Sequence, residues 1–164
     1  MANPTGETAG GDLKPCKVLL VDDEDFNHEM LELFLKKTEY SLLSAKNVEE
    51  ATRIIAVERP DILITDAMMP GESGFSLIQK VRARPDTANM PIILWTVPEQ
   101  PDGSVMDPTR QADITLSKPF YRADIMKALE EAKQLLEHRR AVGRRDDRGP
   151  DNEGPSEDDV RFVL

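Results

Sequence analysis

The sequence predicts an α/β protein in which a parallel sheet is wound on both faces by helices. Short apolar runs alternate with helical patterns along the middle of the chain, and three of the runs are apolar throughout, as strands covered on both faces must be. Strand followed by helix, repeated, implies right-handed crossovers between parallel strands. The 164 residues, 39% of them hydrophobic, supply one domain with a real core and leave no room for a second full one.

The first strand is Lys17 to Val21, followed by a helix whose apolar face is read as Phe26, Met30, Leu33 and Phe34. Tyr40 to Ala45 is the second strand. Asn47 with Glu50 three residues on resembles a capping box, which starts a second helix on Val48, Ala51 and Ile55. Asp61 to Thr65 is the third strand. Gly71 and Gly74 fit a turn and a helix start, and Leu77, Ile78 and Val81 mark the third helix. Pro91 to Thr96 is the fourth strand. Between Thr96 and Asp113 lie Pro98, Pro101, Gly103 and Pro108, so only an irregular fourth helix fits, at most a short or distorted turn around Ser104 to Met106. Asp113 to Ser117 is the fifth strand, and Ile125, Leu129, Ala132 and Leu136 carry the last helix.

Both ends differ from the middle. Residues 1–15 read as a flexible N-terminal tail, 16–138 as the folded domain, and 139–164 as a disordered polyampholytic C-terminal tail. That last segment has 6 Arg and 7 Asp or Glu, so nearly all of the net charge of −10 belongs to the folded part. An acidic body argues against direct nucleic-acid binding, which needs positive surface. One cysteine, Cys16, and two histidines, His28 and His138, exclude an intrachain disulfide and a Cys/His zinc site, and point to a reducing compartment. No apolar stretch approaches membrane-spanning length and the N-terminus has no signal-like apolar segment, so no membrane insertion and a cytoplasmic location are expected.

Ligands of open parallel sheets bind outside the carboxyl ends of the strands. The residues there are Asp22 and Asp23 after the first strand, Asp66 after the third, Thr96 at the end of the fourth and Lys118 after the fifth. Two like charges about 4 Å apart cost about 1–4 kcal/mol in media between water and a protein surface, so something positive must sit among the carboxylates. Magnesium, which takes oxygen ligands and retains water, is the economical choice, and Lys118 adds a fixed charge. Between these cations Asp66 stays ionised and can attack phosphorus, as aspartyl-phosphate enzymes do.

The pieces KVLLVDDE (Lys17 to Glu24), ITDAMMPGESG (Ile64 to Gly74), PIILWT (Pro91 to Thr96) and LSKPF (Leu116 to Phe120) stand in order at strand ends. Together they resemble the receiver domain of two-component response regulators, over about Lys17 to Leu136. The resemblance implies a flavodoxin-like fold, five strands in the order 2-1-3-4-5. It also implies that a histidine kinase or phosphotransfer protein passes a phosphoryl group to Asp66. Asp22, Asp23 and Asp66, with the Met68 backbone carbonyl, would bind Mg²⁺; Thr96 would be the switch hydroxyl and Lys118 the phosphoryl contact. Pro119 is usually joined by a cis bond in such domains. The expected protein is a single-domain, chemotaxis-regulator-like phosphoacceptor whose downstream target is another protein. It is not an enzyme beyond self-phosphorylation from small donors and self-dephosphorylation, and a second copy of the chain is a candidate partner.

Some positions depart from that pattern. Thr115 stands where the family carries its switch aromatic; Val97 and Pro98 follow Thr96, and Met68 lies two residues after Asp66, sites that would tune phosphoryl lifetime. Trp95 reads as a core residue pointing away from Thr96, with a role as switch reporter as the competing reading. With the proline-rich segment, these changes predict an altered output face, and a phosphorylation-independent interaction module is the rival function. A phosphatase resembling the haloacid dehalogenase group would need an acid where Met68 stands. A flavin-binding flavodoxin would not lead its first strand into Asp22 and Asp23. His28 reads as a surface or half-buried filler, Cys16 as inert, and Val160 to Leu164 as a docking or degradation signal or as nothing.

Overall fold

The computed structural model describes residues 14–96 and 111–147. Its strands are β1 (Cys16–Val21), β2 (Tyr40–Ala45), β3 (Ile62–Asp66), β4 (Ile92–Thr96) and β5 (Ile114–Ser117). Its helices are α1 (Asp25–Leu35), α2 (Val48–Glu58), α3 (Gly74–Ala83) and α4 (Arg122–Asp147). All neighbouring strands pair in parallel, in the order β2-β1-β3-β4-β5, which is the flavodoxin-like order expected. The segment expected to hold an irregular helix, with Val97 and Pro98, lies outside the described residues, as do most of the N-terminal tail and Val160 to Leu164. Among the described residues no helix is long and apolar enough to cross a membrane.

The period of two along each strand divides the core. In β1, Leu19 and Val21 face α2 and α3, where they pack with Ala51, Ile55, Leu77 and Ile78. Val18 and Leu20 face α1 and α4, with Leu31, Ile125 and Leu129. Every residue of β3 is buried, the apolar Ile62, Leu63 and Ile64 as a strand covered on both faces requires and Thr65 and Asp66 at its carboxyl end.

Helix starts follow local chemistry. The Asn47 side chain accepts from the Glu50 amide at 2.8 Å and caps α2; the Ser73 hydroxyl accepts from the Ser76 amide at 3.2 Å and caps α3. Replacing Asn47 by alanine is expected to lower stability by about 1 kcal/mol, measured as a shift in urea midpoint at unchanged slope.

Two expectations are corrected. Of the expected α1 face, Met30 and Phe34 are partly buried against the core, but Phe26 and Leu33 are 68% and 63% exposed, and the buried positions are Asn27, Leu31 and Leu35. Phe26, Met30 and Phe34 repeat every four residues just as Asn27, Leu31 and Leu35 do, and the polar Asn27 hid the more deeply buried row; it is buried because its amide has a partner in Asp22. The expected domain boundary at 138 falls inside a helix, because α4 continues to Asp147. Arginine is a good helix former, and Arg139 and Arg140 find carboxylates at strand starts, Asp113 at 2.5 Å and Asp61 at 2.6 Å.

Candidate functional site

Parallel strands deliver their carboxyl ends to one edge of the sheet, and all five predicted residues lie there. Asp22 and Asp23 follow β1, Asp66 closes β3, Thr96 closes β4 and Lys118 follows β5. The register sets Val21 beside Thr65, Asp66 beside Trp95, and Thr96 beside Ser117, so the residues descend from adjacent strands. One carboxylate oxygen from each of Asp22, Asp23 and Asp66 lies within 4.8 Å of the others. Asp22 and Asp66 are buried and Asp23 is exposed.

The Asp22 carboxylate is held from both sides. Its Oδ1 accepts the Glu24 amide at 2.8 Å and its Oδ2 the Asn27 side-chain amide at 2.9 Å. Burial pushes its carboxyl above the ordinary value; the Glu24 amide pulls it down, the Asp66 charge adds to the rise, and Lys118 and Asn27 oppose it. Lys118 Nζ lies 3.2 Å from Asp66 Oδ2 and 4.0 Å from Asp22 Oδ2, so one ammonium serves two carboxylates. The Met68 amide donates to Asp66 Oδ1 at 3.2 Å.

Three carboxylates against one lysine leave a surplus of negative charge. Their oxygens, with no nitrogen or sulfur donor in the set, suit a hard divalent cation. The remaining pieces are placed by backbone. Thr96 accepts the Lys118 amide through its carbonyl at 2.8 Å, and Lys118 is joined to Pro119 by a cis peptide bond, as expected. Thr115 is exposed on β5. Trp95 is wholly buried on the α1/α4 side of the sheet, which agrees with its core reading.

Sequence reasoning missed three supporting residues. Asn27 orients Asp22, and its signal was a polar residue in register with Leu31 and Leu35. His28 is half-buried, but its Nε2 lies 2.7 Å from the Asp22 carbonyl oxygen, so it ties α1 to the end of β1. Gly74 opens α3 directly against the acceptor: a Cβ there would lie 1.9 Å from the Asp66 carbonyl oxygen, and the Gly74 amide donates to Ala67 at 3.0 Å.

The family of response regulator receiver domains matches residues 18–130. The phosphate regulon transcriptional regulatory protein PhoB of Pseudomonas aeruginosa is 31% identical over 113 residues, 69% of this chain and 49% of that protein. The regulatory protein VanR of Enterococcus faecium is 33% identical over 110 residues, 67% of this chain and 46% of its own. The chain thus spans about half the length of these curated relatives. The chemotaxis response regulator CheY4 of Vibrio cholerae superposes with a TM-score of 0.63 at 27% identity, over 71% of this chain and 98% of that one.

Proposed function

The chain belongs to the response regulator receiver family, and from that premise we propose that it is a phosphoacceptor switch in which Asp66 takes a phosphoryl group and the modified domain binds a partner protein. The donor is a phosphohistidine on a histidine kinase or phosphotransfer protein. An ionised Asp66 oxygen attacks phosphorus, the P–N bond breaks with its electron pair returning to imidazole, and no proton has to leave the acceptor. Lys118 Nζ, already at Asp66 Oδ2, balances charge on the transferred oxygens, and the Thr96 hydroxyl donates to one of them. Asp22, Asp23 and Asp66, with the Met68 carbonyl, would hold Mg²⁺, which when bound supplies the positive charge that three carboxylates and a phosphoryl group lack. Asn27 and the Glu24 amide keep Asp22 oriented for that role. The domain is a signalling acceptor and turns over only its own phosphoryl group.

The observation that carries this reading is the contact of Lys118 with Asp66 beside the other two carboxylates. A protein partner is supported by exposed Phe26, Met68 and Tyr121, on the segments that leave β1, β3 and β5 at this same edge. The rival, an interaction module indifferent to phosphorylation, rests on Thr115 and on the prolines Pro98, Pro101 and Pro108 that precede β5.

Intact mass after incubation with Mg²⁺ and acetyl phosphate tests the reading. A phosphoryl adduct is expected in the wild type, with none in Asp66→Asn and none in the presence of a chelator. Absence of adduct in a rapidly quenched wild-type sample would leave only the rival.

A further inference from the structure

Lys118 stands on the weakest wall of the site. β5 is an edge strand of four residues, and none of them is fully buried, so its end needs another anchor. One anchor is the bond from the Lys118 amide to the Thr96 carbonyl. The other is two residues on, where the Phe120 ring packs against the indole of Trp95, with centroids 4.5 Å apart and planes inclined at 49°.

Trp95 is an unusual way to fill this position. Its ring is wholly enclosed, yet among the described residues its Nε1 hydrogen has no partner. An aliphatic side chain, such as its β4 neighbours Ile93 and Leu94, would occupy a sheet interior without burying an unpaired donor. What the indole provides is a broad rigid face under Phe120. Its own backbone is fixed to the acceptor, since Trp95 lies beside Asp66 in the sheet and its carbonyl accepts the Ala67 amide at 2.9 Å.

We propose that Trp95 and Phe120 are positioning residues for the phosphoryl chemistry: the indole seats Phe120, and that seat holds the Lys118 backbone so that Nζ stays on Asp66. The proposal rests on the phosphoacceptor reading above. Neither ring touches the phosphoryl group, and both act through Lys118.

The test compares initial rates of adduct formation from acetyl phosphate and Mg²⁺, a reaction in which the O–P bond to acetate breaks and the Asp66–phosphorus bond forms. The proteins are wild type, Phe120→Ala, Lys118→Ala, the double variant, and Phe120→Tyr, each with its thermal midpoint recorded. Phe120 is only partly buried, so its truncation leaves the core filled. Phe120→Ala is expected to slow the reaction by about tenfold or more, Phe120→Tyr to restore it, and the double variant to be no slower than Lys118→Ala. Multiplying effects in the double variant, or an unslowed Phe120→Ala in a protein whose wild type forms adduct, would overturn the positioning role while the phosphoacceptor reading stands. A wild type without adduct would remove both. Trp95→Phe, which keeps a ring, is expected to fall between wild type and Phe120→Ala; a rate below Phe120→Ala would count against the seat.

Discussion

Replacing Asp113 by asparagine is expected to cost about 3 kcal/mol of folding stability, the scale of breaking a buried ion pair from one side. Asp113 precedes β5 at the base of the sheet, opposite the site. Its Oδ2 accepts Arg82 Nη2 of α3 at 3.0 Å and the Ile92 amide of β4 at 2.9 Å, and its Oδ1 accepts Arg139 Nη2 of α4 at 2.5 Å. One carboxylate therefore ties two helices and a strand. The two guanidiniums also reach backbone carbonyls: Arg82 donates to Ala88 and Met90 at 2.8 and 2.7 Å, and Arg139 to Asn89 at 3.1 Å. Side chains of Asp113, Arg82 and Arg139 are only 14%, 19% and 28% exposed, unlike the Lys17–Glu58 and Lys80–Glu72 pairs, which are nearly half exposed and contribute little. Asparagine keeps the shape and removes the charge, leaving Arg82 enclosed without a counterion.

The same cluster sets a pH dependence. Burial pushes the Asp113 carboxyl up, but hydrogen bonds from Arg139 and the Ile92 amide, with the charges of Arg82 and Arg139, outweigh it and hold the group below its ordinary value of 3.8. A carboxyl depressed in the folded state contributes stability that is complete above its unfolded pKa and is lost as pH falls through the folded one. The stability gap between wild type and Asp113→Asn, followed by urea unfolding, should thus stay flat from neutral pH to about 5. It should close below 3.8. A gap that closes at neutral pH, or never opens, would show that the arginines find other partners.

The strands and the reacting residues were legible because both follow from local pattern. A strand buried on both faces must be apolar, and in a parallel sheet the polar residue that ends it lands at the binding edge, which is how Asp22 declares itself after β1. Asp66 follows one buried threonine in β3, and Lys118, after the half-exposed β5, was legible from its place in the LSKPF piece. The Asp113 cluster was not legible because its partners lie 31 and 26 residues away and charges carry no periodicity. The face of α1 was misread at Phe26 and Leu33, though not at Met30 and Phe34, for a related reason. Phe26 and Leu33 are as apolar as Leu31 and Leu35, and the inward turn of α1 shows only in tertiary contacts, the bond from Asn27 to Asp22 and the packing of Leu31 and Leu35 in the core. The reach of α4 past 138 depended on the same kind of distant contact, Arg140 with Asp61 across the sheet base.

Gly74→Ala is expected to slow phosphoryl transfer to Asp66 by roughly a hundredfold, the penalty for moving a reacting group by about 1 Å. Alanine is the better helix former, by about 1 kcal/mol, so propensity alone predicts a gain. Space decides otherwise. The added Cβ would lie 1.9 Å from the Asp66 carbonyl oxygen, 2.9 Å from its carbon and 3.0 Å from Thr65 Oγ1. Two of these are main-chain atoms of the acceptor, so relief requires α3 to retreat or the end of β3 to shift, at about 1–3 kcal/mol of overpacking. Either movement strains the bond from the Gly74 amide to the Ala67 carbonyl, one residue beyond Asp66, and misaligns the acceptor against Lys118. Gly71 supplies the contrast within the same loop. Its φ of 83° strains any other residue, but a Cβ there meets nothing within 4 Å. Gly71→Ala should accordingly cost about 1 kcal/mol of stability through the backbone and leave the rate of adduct formation unchanged. Measured side by side, a slow Gly74→Ala with a wild-type Gly71→Ala would place the effect at the Asp66 carbonyl; equal slowing in both would assign it to the loop as a whole.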